Sequence, residues 1–225
     1  MLRVGTTGDY TPFSLKRPDG SYEGADIEMA HDLAERLGAR VEFVSTVWVE
    51  LLDDFLAGRF DIAMGGVTVT AARAEAAFFS LPTFVDGKRP LARREYAHRF
   101  TSIEAIDQPW VRVIANPGSA NEAFARANFM RATVIIHHDN ATVFDELVAG
   151  HADVMVTDGL EADHQARLHP ELCAVAVPAP WTRLEKAYMF APDPAMKVFI
   201  DAWLAAAFAN GQWQSALDRA MSADQ

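Results

Sequence analysis

The sequence predicts an α/β fold built as two lobes, with the chain passing between them twice. Three observations point there. Short β-prone runs alternate with segments of helical apolar spacing, an order that implies parallel sheets with helices on their faces. The alternation comes in two series, separated by an extended segment over 85–94 that carries Gly87 and Pro90. A second extended run over 185–190 then leads into two helices with no strand of their own, which bury an apolar face most simply by returning to the first lobe. Lobe 1 is therefore expected at 1–91 plus 187–225, and lobe 2 at 92–186. At 225 residues the chain has room for two lobes of about 100 residues each.

Each element has a local reason. Residues 2–7 form a β-prone run stopped by Gly8-Asp9. Asp19-Gly20 reads as a hairpin turn between Phe13-Ser14 and Tyr22-Glu23. Ile27, Met29, Ala30, Leu33, Ala34 and Leu37 recur at helical spacing, and Gly38 follows as the C-cap. A strand over 41–44, a helix over 47–56 ended by Gly58, and a strand over 60–64 complete the first series. The second series starts near Thr101. It places strands at 111–115, 133–136 and 154–157, and helices at 121–130, 143–149 and 160–168. Pro178, Pro180 and Pro192 bracket the second extended run, and helices over 195–209 and about 213–221 close the chain.

Composition narrows the function. Hydrophobic residues make up 50% and charged residues 23%, which is ordinary for a globular protein. A net charge of −11 and the absence of a basic stripe argue against a nucleic-acid surface and disfavour docking on anionic lipid. A small anionic ligand remains compatible, because local arginines and lysines decide that. The single cysteine, Cys173, rules out an intramolecular disulfide and reads as a small buried apolar residue. No apolar run is long enough to insert into a membrane. His137-His138-Asp139 does not read as a metal site, since neighbours on a strand point to opposite faces. His164 and His169 are five apart, off the one-turn spacing of helical metal ligands, so no metal is assigned. The opening Met1-Leu2-Arg3-Val4 is strand-like, so either the protein is cytoplasmic or a secretory leader has been removed.

The most telling stretch spans 61–84, DIAMGGVTVTAARAEAAFFSLPTF. A short strand ends in Gly65-Gly66, Thr68 and Thr70 alternate after it, and Arg73 opens a helical segment. Glycines such as Gly66 let a ligand approach the backbone, hydroxyls give directed hydrogen bonds, and an arginine fork grips a carboxylate bidentately. The stretch reads as an anion cradle, or else as an ordinary strand–turn–helix with a solvated arginine. Ligand sites in open α/β sheets lie beyond the carboxyl ends of strands. At those ends stand Asp9 and Tyr10, then Trp48, then the cradle, with Lys88 on the first crossover. In the second lobe Asn116-Pro117-Gly118-Ser119-Ala120-Asn121 enters a helix, which makes either an anion pocket or a simple cap. Asp158 and Glu161 open another helix, where a first-turn glutamate also suits the helix dipole.

The segments GDYTPFS, GADIEM, TVWVELLDDF, DIAMGGVTVTAAR, FVDGKRP, NPGSANEAFARAN, HHDNATVF, VTDGLEA and RLHPELCAV occur in that order. Together they resemble the cyclohexadienyl dehydratases, an offshoot of the periplasmic amino-acid solute-binding proteins of family 3, over about 2–188. The resemblance implies a two-lobed periplasmic-binding-protein fold of type II with a double-crossover hinge. It also implies a periplasmic location, its leader removed. The implied activity converts prephenate to phenylpyruvate, or arogenate to phenylalanine, by loss of water and carbon dioxide. Position by position, Glu161 matches the general acid, with Lys88 beside it in the catalytic set. Arg73 and Thr68 match ligand-carboxylate contacts, Asn116 and Asn121 polar pocket residues, and Trp48, Asp9 and Tyr10 the cleft wall. Such an acid needs a raised pKa, which burial beside a dianionic substrate supplies. No metal or organic cofactor is implied. Departures from the family pattern are Ser119-Ala120 in place of Gly-Thr, Ala25 for a bulky residue, His138 for a proline, and an unusually basic 89–98. The rival readings are a non-catalytic binding protein feeding an ABC transporter with an amino acid or small carboxylate, and a ligand-sensing domain. The sequence leaves the oligomeric state and the choice of prephenate or arogenate open.

Overall fold

The computed structural model describes residues 1–222. In chain order the elements are β1 (Leu2–Thr6), β2 (Asp9–Tyr10), β3 (Ser14–Lys16), β4 (Tyr22–Glu23), α1 (Ala25–Arg36), β5 (Val41–Ser45), α2 (Leu51–Leu56), β6 (Ile62–Ala63), α3 (Ala71–Ala76), β7 (Phe78–Phe79) and β8 (Phe84–Asp86). There follow β9 (Lys88–Arg93), α4 (Ile103–Ile106), β10 (Arg112–Ala115), α5 (Ala120–Asn128), β11 (Thr133–Ile136), α6 (Val143–Val148), β12 (Val154–Asp158), α7 (Gly159–Leu168) and β13 (Leu172–Ala174). The last are β14 (Leu184–Lys186), β15 (Met189–Phe190), α8 (Pro194–Ala209) and α9 (Gln212–Ser222).

These form two compact units. The first is Met1–Val85 with the chain from Leu184 onward, and the second is Asp86–Arg183. The division falls earlier on both crossovers than the expected 91/92 and 186/187. The reason is β9, which pairs antiparallel with β12 from Lys88 to Ala92 and with β13 from Leu91 to Arg93. Residues expected to be a bare crossover are thus an interior strand of the second unit's sheet.

In the first unit the sheet order is β5-β1-β6-β15-β7. β1 runs parallel to β5 and β6, as the alternation predicts. The returning strand β15 lies antiparallel between β6 and β7. That pairing gives the C-terminal helices their place: they belong to the first unit because the strand before them is part of its sheet. α1 buries Ile27, Met29, Ala30, Leu33 and Ala34 of the apolar stripe read from the sequence, while Leu37, just past its end, is exposed, and α9 packs against the helix. The second helix begins at Leu51, not at Val47, and Val47 and Val49 are exposed, so they give the extra turn nothing to pack on.

The second unit's sheet has the order β11-β10-β12-β9-β13, with β10 parallel to β11 and β12. Successive residues of its strands feed two separate cores. Val113, Ala115, Val154, Val156 and Ala92 join one, with Phe100, Phe129 and Val175. Ile114, Met155 and Leu91 join the other, with Phe144, Leu147, Ala162 and Leu172. This is the period-2 alternation of a sheet covered on both faces. The basic run over 89–98 has a structural use here. Arg93 donates to the carbonyls of Leu147 and Ala152, and Arg94 to those of Pro170 and Leu172.

Candidate functional site

Each unit carries one polar cluster beyond the carboxyl ends of its strands. In the first, the chain leaves β6 through Gly65 and Gly66 at φ 130° and 70°. The amides of both glycines donate to Asp26 Oδ2, at 3.0 and 2.7 Å, and the Tyr188 hydroxyl donates to Asp26 Oδ1 at 2.9 Å. Asp26 is fully buried. Burial pushes its carboxyl up to about 6, against the opposing pull of these hydrogen bonds and of Lys186. Gly66 also has a structural duty at this turn. Its amide is held by Asp26, and a side chain there would meet the Tyr10 ring at 2.6 Å.

Beyond the glycines, Thr68 is buried and ties down two cations. Its carbonyl accepts from Arg73 Nη1 at 3.0 Å, and its hydroxyl accepts from Lys186 Nζ at 2.7 Å. Arg73 is 8% exposed, and its guanidinium lies 5.9 Å from the Trp48 ring. Burial lowers its pKa to about 10, and no carboxylate pairs with it among the described residues. A desolvated guanidinium without a counter-charge is costly, so this position suits an incoming carboxylate. The alternative of a solvated arginine does not fit this burial. Thr70 is the N-cap of α3, accepting from the Arg73 amide at 3.4 Å. Asp9 accepts from the Trp48 indole at 3.0 Å. Tyr10 packs edge-on against Trp48 at 6.0 Å, with Lys186 Nζ 4.9 Å from its ring centre.

In the second unit, the predicted residues meet in one buried chain of hydrogen bonds. Lys88, 1% exposed, donates to Asp158 Oδ1 at 2.6 Å and to Asn121 Oδ1. Asn121 Nδ2 donates in turn to Asn116 Oδ1 at 3.3 Å and to Thr157 Oγ1 at 3.1 Å. The Thr157 hydroxyl donates to Glu161 Oε2, and Glu161 is 5% exposed. Glu161 is thus a buried acid at the start of α7, not a first-turn glutamate facing water. Asp158 stands at the N-cap position of α7 without capping it. Asp86 substitutes, accepting from the Leu160 amide at 2.8 Å, which leaves Asp158 to balance the buried ammonium of Lys88.

Ser119 meets this network only through the Asn116 backbone. Its hydroxyl accepts from the Glu122 amide at 3.1 Å and donates to the Asn116 carbonyl at 2.6 Å, so it caps α5. Sequence reasoning missed Asp26, Thr157 and Lys186. Thr157 had a usable signal, since it lies one residue before Asp158 and one helical turn from Glu161. Lys186 had none, because its partner Thr68 is 118 residues away.

Comparison with known proteins bears on the family and the fold. Residues 2–222 match the bacterial extracellular solute-binding proteins, family 3. The chain is 48% identical over 211 residues to a cyclohexadienyl dehydratase of Pseudomonas aeruginosa, covering 94% of this chain and 79% of that protein. It is 29% identical to an L-cystine-binding protein of Escherichia coli over 161 residues, 72% of this chain and 60% of that protein. Among solved structures, an ancestral amino acid-binding protein, a precursor of cyclohexadienyl dehydratase, superposes with a TM-score of 0.89 at 32% identity, covering 98% of this chain and 94% of that one. An ancestral cyclohexadienyl dehydratase matches at 46% identity with a TM-score of 0.59, covering 98% and 92%.

Proposed function

Because the chain belongs to the bacterial extracellular solute-binding proteins of family 3, we propose that it works as an enzyme of that family, a dehydratase and decarboxylase of prephenate, arogenate or both. The single observation that carries the reading is the buried carboxyl of Glu161, joined through Thr157 and Asn121 to the Lys88 ammonium. A dehydratase needs an enclosed proton donor beside a cation, and the second unit's cluster supplies both in Glu161 and Lys88. Its strongest support from relatives is the 48% identity to the P. aeruginosa enzyme. The described residues include no helix long and apolar enough to cross a membrane, and a periplasmic location goes with the family reading.

The chemistry balances without any added reactant. Glu161 gives its proton to the ring hydroxyl as the carbon–oxygen bond breaks and water departs. The electron pair of the ring-to-carboxylate bond moves into the ring, releasing carbon dioxide and leaving an aromatic product. Solvent then restores the proton to Glu161. Thr157 orients the carboxyl, and Lys88, held by Asp158 and Asn121, supplies positive potential near it. Within the first unit, Arg73 is suited to take a carboxylate, Thr68 fixes the arginine, and Trp48 and Tyr10 offer flat surfaces beside it. A carrier of free amino acids needs an acid for the ligand's ammonium. Asp158 is the natural choice, but its Oδ1 is already engaged by Lys88 at 2.6 Å, which weighs for the enzyme over the carrier.

Purified protein incubated with prephenate is expected to produce phenylpyruvate, read by its ultraviolet absorbance in alkali. Product forming no faster than in buffer alone would overturn the reading. Glu161→Gln is expected to remove turnover while ligand affinity stays within about tenfold, because the lost interaction belongs to the transition state.

A further inference from the structure

Resting on the dehydratase reading, we propose that Thr157 is a positioning residue that orients the Glu161 carboxyl and sets how readily it gives up its proton. The geometry lies wholly within the second unit. Thr157 is fully buried on β12, one residue before the strand ends, and Glu161 follows in the first turn of α7. The junction of strand and helix therefore brings a hydroxyl beside a carboxyl of the same stretch of chain. Asn121 reaches that hydroxyl from the first turn of α5, and Lys88 reaches Asn121 from the start of β9.

The direction of each hydrogen bond in this run follows from its first member. An ammonium has three protons and no lone pair, so Lys88 can only donate. Asn121 meets it with Oδ1, which turns Nδ2 toward Asn116 Oδ1 at 3.3 Å and Thr157 Oγ1 at 3.1 Å. The Thr157 oxygen thus enters as an acceptor, and its one proton goes to Glu161 Oε2. A hydroxyl fixed in this sense does two things. It makes Oε2 the accepting oxygen of the acid, so the transferable proton is carried by the other oxygen and the plane of the carboxyl is held. It also stabilises the carboxylate that remains after proton transfer. A hydrogen bond to the charged form lowers a carboxyl pKa, against the rise that burial causes, and so eases the transfer. The ammonium at the head of the run polarises the bonds that follow it, and Asp158 keeps that ammonium in place at 2.6 Å.

The test compares Thr157→Val, which keeps the shape and removes the hydroxyl, with Thr157→Ser, which keeps the hydroxyl. With prephenate, Thr157→Val is expected to lower kcat about thirtyfold with KM within about threefold. It is also expected to move the alkaline limb of the kcat profile up by about one pH unit, since the acid then holds its proton to higher pH. Thr157→Ser is expected to restore the limb, and kcat to within about threefold. Equal losses in both variants, an unchanged kcat in Thr157→Val, or a fall with the limb unmoved would overturn the inference and leave Thr157 a packing residue. The Glu161 carboxyl carbon, followed by NMR through a pH titration and assigned by its disappearance in Glu161→Gln, reads the same contact without turnover. Its midpoint is expected to rise in Thr157→Val and to stay in place in Thr157→Ser, and an unmoved midpoint in Thr157→Val rejects the proposal. If the unaltered protein turns over neither prephenate nor arogenate, the dehydratase reading fails, and the titration decides whether Thr157 holds Glu161. Should Thr157→Val not fold, Thr157→Ala carries the same comparison.

Discussion

Arg73 and Asp26 show what burial does to single charges here. Arg73 sits among Thr68, Trp48 and Thr70 with no carboxylate to offset it among the described residues, so a ligand carboxylate would recover its desolvation. Arg73→Ala is expected to weaken binding of any carboxylate ligand by about 2–5 kcal/mol, measured by calorimetry. Asp26 is the opposite case, an acid whose proton is retained by burial. Its folded pKa of about 6 lies above the ordinary aspartate value of 3.8, so between those values the unfolded chain binds fewer protons than the folded one. The stability it contributes is full below about pH 4 and is lost as pH rises through 6, a change of up to about 3 kcal/mol. Asp26→Asn cannot titrate, and urea unfolding from pH 4 to pH 7 is expected to show a flatter profile for the variant. An unchanged slope would sink the assignment.

At the scale of elements, the site depends on how strands end. The turn after β6 carries Gly65-Gly66 in left-handed conformations and passes under the Tyr10 ring. Gly66→Ala adds a methyl group where φ is 70° and the ring is 2.6 Å away. It is expected to cost about 1–3 kcal/mol in thermal or urea unfolding and to displace Tyr10, lowering its quenching or packing signal against Trp48. The start of α7 makes the same point through side chains. Asp86 holds the Leu160 amide, so Asp158 can turn to Lys88 and the first turn can present Glu161 inward. Ser119 has an element-level duty as well, because the helix beginning at Ala120 uses its hydroxyl as a cap.

Across the whole molecule, the two units differ in how they are assembled from the chain. The second is one continuous stretch, Asp86–Arg183, with a core on each face of its sheet. The first needs two separate stretches, since β15 sits between β6 and β7. A fragment spanning 86–183 is therefore expected to unfold cooperatively on its own, whereas a chain ending at Arg183 lacks β15, α8 and α9 and leaves β6 with an open edge. Circular dichroism through a urea titration of both fragments checks this. A cooperative first unit in the truncated chain would contradict the role given to β15.

Much of this was legible in one dimension. Apolar spacing placed α1 and the parallel strands, and the order of motifs named Arg73, Lys88, Asn121 and Glu161, because local periodicity and residue type act over a few neighbours. What the residues touch was not legible. The strand character of 88–93, the hold of Asp26 on Gly65 and Gly66, and the meeting of Lys186 with Thr68 all depend on partners far along the chain. Burial then decides the chemistry: a glutamate in a first turn is only a helix former until packing removes its water, and a lysine on a crossover is only a surface charge until a threonine far along the chain closes over it.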